Sequence, residues 1–70
     1  MNRFMEVDGM RLKELRRERA LSQRELAQLS GVSYDAIAKL ERSHREAQPR
    51  TVRRLAEALG VEPRELLKEE

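Results

Sequence analysis

Leu26-Ala-Gln-Leu-Ser-Gly-Val-Ser-Tyr-Asp35 holds one of only three glycines in a chain of 70 residues, and strong helix formers lie on both sides of it. A helix-rich chain that stops at Ser30-Gly31-Val32-Ser33 and restarts at once needs a local reason for each event. Upstream, Ser22-Gln-Arg-Glu25 has the form of a capping box: the serine hydroxyl accepts from the third amide and Glu25 reaches back to the cap. It opens a helix whose apolar residues are Leu26, Ala27 and Leu29. Gly31 then supplies a left-handed stop that other residues adopt at a cost. Ser33 caps the next helix through about Arg42, with Ile37 and Leu40 three apart on its inner face.

Two helices joined by so short a turn cross steeply, and each residue at the crossing is constrained. Ala27 must be small where the helices meet, Gly31 must allow a positive φ, and Ile37 fills the wedge while Leu40 ties its helix to the core. This is a helix-turn-helix unit at about 23–42, and its polar outer face is free to enter a major groove. Taken alone, such a spacing also fits an ordinary helical hairpin. Here it coincides with two N-caps and a polar exposed face.

Working outward, residues 1–9 show no periodicity and are expected to form a flexible tail, with Phe4 and Met5 exposed. A first helix is expected over 10–20, with Leu12 and Leu15 inward. After a polar loop at 43–48, Pro49 suits the first position of a fourth helix carrying Val52, Leu55, Ala56 and Leu59 at helical spacing. Gly60 ends it, and Pro63 starts a short fifth helix with Leu66 and Leu67. The expected fold is all-α, a compact five-helix bundle occupying 10–68.

Size and composition exclude much else. A chain this short buries only roughly 60% of its unfolded surface and has no room for a cofactor domain beside its core. It has no cysteine, so neither a disulfide scaffold nor a zinc finger is available. The start has acids where a signal peptide needs an apolar run, and no stretch approaches a membrane span. The expectation is a soluble cytoplasmic protein with no metal and no cofactor. The net charge is only +2. Yet positions 42–54 carry five arginines against Glu46 alone, whereas 57–70 carry five glutamates against Arg64 and Lys68. Such runs are ordinarily solvated helix faces; a basic middle beside an acidic end also suits one face toward a polyanion. Catalysis is not expected. The only histidine, His44, sits beside Arg42 and Arg45, with no second histidine or cysteine to complete a metal site or covalent triad.

Leu12-Lys-Glu-Leu-Arg16, Leu21-Ser-Gln-Arg-Glu-Leu-Ala27, Ser30-Gly-Val-Ser33, Ile37, Leu40-Glu-Arg42 and Leu55-Ala-Glu-Ala-Leu-Gly-Val61 together resemble the Cro/C1-type (XRE) helix-turn-helix family. The resemblance implies a lambda-repressor-like domain that binds operator DNA, commonly as a two-fold dimer, and most often a transcriptional repressor. It places Ser33, Tyr34, Asp35 and Lys39 at base edges. Gln23 would touch the phosphate backbone and brace the reading helix, and 43–50 would follow the backbone, with Arg42, Ser43, His44, Arg45 and Arg50 as phosphate contacts. Arg16 and Glu41 match a frequent structural ion pair. The residues themselves agree for the third helix: with Ile37 and Leu40 inward, positions 34, 35, 38, 39 and 42 face outward. Two departures stand out. Ser43 replaces a glycine common in the family, so the end of the third helix is expected to fray or shift. Asp35 stands where uncharged donors are common. The alternative function is a protein-interaction module, such as an antitoxin or an antagonist of another regulator, using the acidic end and Phe4 and Met5.

Overall fold

The caps written in the sequence set most of the helix boundaries. In a computed structural model that describes residues 3–43 and 46–68, the order is β1 (Met5–Glu6), α1 (Gly9–Glu18), α2 (Gln23–Ser30), α3 (Tyr34–Ser43), β2 (Glu46–Ala47), α4 (Pro49–Leu59) and a 3-10 turn (Pro63–Leu66). The Ser22 hydroxyl accepts from the Glu25 amide at 3.0 Å, and the Glu25 carboxylate accepts from the Ser22 amide at 2.8 Å. Gly31 ends α2 at φ 76°, its amide donating to the Ala27 carbonyl at 2.9 Å. Ser33 Oγ accepts from the Ala36 amide at 3.1 Å and so opens α3. Gly60, at φ 72°, closes α4. Ser43 belongs to α3, one residue beyond the expected end.

The core forms where these elements converge. Leu12, Leu26, Ile37, Leu55 and Leu66 are completely buried, and Leu15, Leu40, Val52, Ala56 and Leu59 are nearly so. Burying one such leucine or isoleucine contributes about 1.5–3 kcal/mol, which lets so small a chain fold. Leu29 departs from that pattern: it points outward and is 63% exposed.

Three expectations need correction. The fold is not all-α and has four α-helices rather than five among the described residues. The segment from Pro63 is too short for an α-helix and closes with i→i+3 bonds instead, Leu67 N–H to the Arg64 carbonyl and Glu65 N–H to the Glu62 carbonyl. Nor do residues 5–9 form a loose tail. Met5 and Glu6 pair antiparallel with Ala47 and Glu46, and the Val7 position bridges Leu67. Val7 is fully buried, so the strand is anchored by an apolar side chain as well as by backbone bonds.

Helix α1 also starts earlier than expected. Asp8 caps it by accepting from the Arg11 amide at 3.1 Å. Gly9 then packs directly on the end of α3: a Cβ at this position would overlap the Leu40 carbonyl and press on that of Glu41. A glycine here lets α1 approach the backbone of α3 and fixes where the two helices cross.

Candidate nucleic-acid interface

Helix α3 is held from behind and open in front. Ile37 and Leu40 lock it to the core, while Tyr34, Asp35, Lys39 and Arg42 are exposed and Ala38 is half-buried. Its first turn is fixed by Ser33, whose oxygen accepts the capping bond while its O–H stays able to donate. Asp35 and Lys39, one turn apart, form an exposed ion pair with Nζ 3.1 Å from Oδ2. The outer face of α3 therefore carries a carboxylate already engaged with an ammonium group.

Two clefts flank this helix. On the α1 side, Lys13, Arg17, Gln23, Tyr34, Ala38 and Arg42 line one of them, with Arg16 and Glu41 beneath. On the other side, Ala36, Lys39 and Leu40 face Glu46 and Ala47 of β2 and Thr51 of α4. Arg50 is exposed beside Thr51 on the first turn of α4. The Ser43 side chain, His44 and Arg45 lie outside the described residues.

Beneath the first cleft, one carboxylate ties the motif together. Arg16 Nε donates to Glu41 Oε2 at 2.7 Å and Nη2 donates to Oε1 at 3.0 Å, a bidentate pair. Its third nitrogen, Nη1, donates to the Leu21 carbonyl at 2.8 Å. Gln23 Nε2 donates to Glu41 Oε1 at 3.0 Å. Arg16 thus links α1 to the turn before α2, and Glu41 links both to α3. The hydrogen bonds to Glu41 raise the guanidinium further above its ordinary pKa, against the opposing effect of burial. Gln23 is therefore a brace on Glu41, and its second amide N–H remains able to donate.

Three cations at this face escaped the sequence analysis. Arg24, in the first turn of α2, lies with its guanidinium carbon 4.8 Å from the centre of the Tyr34 ring. That is cation–π distance, and it steadies an exposed tyrosine at the start of α3. Lys13 and Arg17 were legible in principle: with Leu12, Leu15 and Arg16 inward on α1, positions 13 and 17 fall together on the adjacent outer face. Phe4 and Met5, by contrast, stand away from α3. Phe4 is 56% exposed over a groove that it shares with Met5, Pro49, Val52, Leu67 and Arg53.

Two helices joined by a glycine turn, the second displayed between two clefts, define the helix-turn-helix class. Residues 12–66 match the Helix-turn-helix family, and the chain belongs to it, as a Cro/C1-type (XRE) member. It is 43% identical over 58 residues to the HTH-type transcriptional repressor RghR of Bacillus subtilis (strain 168), a match covering 81% of this chain and 43% of that protein. The chain thus spans less than half the length of that relative. It is 41% identical over 59 residues to the uncharacterized HTH-type transcriptional regulator y4dJ of Sinorhizobium fredii (strain NBRC 101917 / NGR234), covering 84% and 77% of the two chains. The crystal structure of the restriction-modification controller protein C.AhdI from Aeromonas hydrophila is similar at a TM-score of 0.78 and 44% identity, over 84% of this chain and 89% of that one. The domain is of the DNA-binding transcriptional-regulator type. Among the described residues, no helix is long and apolar enough to cross a membrane.

Proposed function

We propose that the protein binds operator DNA by inserting α3 into the major groove and acts as a transcriptional repressor. The observation that carries this reading is the display of Tyr34, Asp35, Lys39 and Arg42 on a helix whose opposite side, Ile37 and Leu40, is locked in the core. Ser33, Tyr34, Asp35 and Lys39 meet base edges; a lysine suits guanine O6 or N7, and a carboxylate suits the cytosine N4 amine. Gln23, Arg42, Ser43, His44, Arg45 and Arg50 follow the phosphates. Two copies pair on a two-fold site, with half-site centres about one helical turn, roughly 10 base pairs, apart. Repression follows the name of RghR, which shares the domain.

Selection of bound sequences from a random duplex pool tests the proposal. The expected result is a two-fold motif with that spacing; recovery of no common sequence would count against base reading. The alternative, a partner-protein module, draws on the apolar groove at Phe4. Under that alternative, a Phe4→Ser variant loses its partner while DNA affinity is absent in both forms.

A further inference from the structure

We propose that Lys13 and Arg17 of α1 form a phosphate-binding subsite that grips one DNA strand beside the groove occupied by α3. The inference rests on the reading that α3 enters the groove, and it adds a contact element outside the helix-turn-helix unit.

The pairing of charges along α1 carries the argument. Arg11 reaches Glu14 at 3.5 Å and Glu65 at 3.6 Å. Arg16 is held by Glu41. Arg19 reaches Glu18 at 3.8 Å and donates from Nε to the Leu59 carbonyl at 2.7 Å. Each of these cations has a task inside the fold. Lys13 and Arg17 alone on this helix have no acidic partner among the described residues, and both are exposed. Spaced four apart, they stand on the same face, where two like charges repel mildly. Both line the cleft bordered by Tyr34 and Arg42 of the reading helix.

Side chains of this kind gain most from a polyanion. They lose no internal salt bridge on binding, and each phosphate they neutralise releases condensed counterions. The edge of a groove filled by α3 is a phosphodiester strand, and the α1 cleft lies along that edge. Gln23, in the same cleft, has an N–H left over from its bond to Glu41 and completes the strand contact. A purely structural role is the competing account for Arg17, which sits in the last turn of α1 where a cation favours the helix dipole.

The test compares the wild type with Lys13→Gln/Arg17→Gln on the selected operator duplex and on a random-sequence duplex, across a series of KCl concentrations. Glutamine keeps helix propensity and removes charge. The expected result is a fall in the log–log salt slope of about 0.9 for each cation, with affinity lost alike on both duplexes. The charge-preserving variant Lys13→Arg/Arg17→Lys keeps the wild-type slope. An unchanged slope in the glutamine variant, with or without a lower melting temperature, overturns the inference. A flat slope in the wild type itself overturns the DNA reading and this subsite together.

Discussion

Arg16 and Glu41 are 25 positions apart in the chain and meet as a bidentate pair, Nε to Oε2 at 2.7 Å, with side-chain exposures of 11% and 4%. Two further groups depend on this contact, the Leu21 carbonyl and the Gln23 amide, and through them the entry into α2. The angle at which α3 is presented is thus set partly by one buried carboxylate.

Removing one partner strands the other charge. Arg16→Met is expected to cost about 3–5 kcal/mol, whereas Arg16→Met/Glu41→Leu should cost much less because no buried ion remains alone. Urea denaturation of the two variants checks this. Equal losses would show that the residues are not coupled.

Asp35 poses a sharper question because Lys39 already occupies it. An exposed pair of this kind, with the acid one turn before the base, is worth only about 0.3–0.5 kcal/mol to the helix. A carboxylate in the first turn of α3 adds about 0.3–1 kcal/mol through the helix dipole. If those were its roles, Asp35→Ala would lower the melting temperature slightly and leave the specificity ratio unchanged. As a base-reading group it does something else. Asp35→Ala then binds random duplex more tightly, binds the operator less tightly, and relaxes choice at one base position worth about 1–3 kcal/mol. Affinities for both duplexes at one fixed salt concentration separate the two, and base reading is the expected outcome.

Gly9 gives a prediction that no DNA is needed to test. Gly9→Ala places a methyl group against the Leu40 carbonyl, backbone that cannot rotate away. Overpacking of this sort costs about 1–3 kcal/mol, outweighing the few tenths to one kcal/mol that alanine gains over glycine within a helix. Thermal denaturation should show a clear loss; a gain in stability would contradict the close approach of α1 to the α3 backbone.

Most of what decides the fold was local and therefore legible. The Ser22 and Ser33 caps, the Gly31 and Gly60 stops and the Ile37–Leu40 spacing each act within a few residues, so they can be read from a short stretch. The hidden parts are long-range. Met5 finds Ala47 only once three helices have folded between them, and Val7 finds Leu67 only after four; a two-residue strand also has too few positions to show alternation. Asp8-Gly9 was a missed start signal, and the meaning of Gly9 lay in a carbonyl more than 30 positions away. Of the site, the outer face of α3 followed from helical geometry, while the Arg16–Glu41 pair came from family resemblance alone. Arg24, Lys13 and Arg17 went unnoticed because their importance depends on which cations elsewhere on the surface are already paired.

The central claim, that this face binds a nucleic-acid polyanion through α3 and its flanks, meets its most direct test in one measurement. This is the dependence of wild-type DNA affinity on salt concentration, on operator or random duplex. Each phosphate neutralised contributes a slope of about −0.9, and roughly four to six per protomer are expected, from Arg42, Arg45 and Arg50 together with the α1 cations Lys13 and Arg17. The account predicts affinity that falls steeply and linearly on the log–log plot, with a slope of about −4 or steeper. A slope near zero would contradict it.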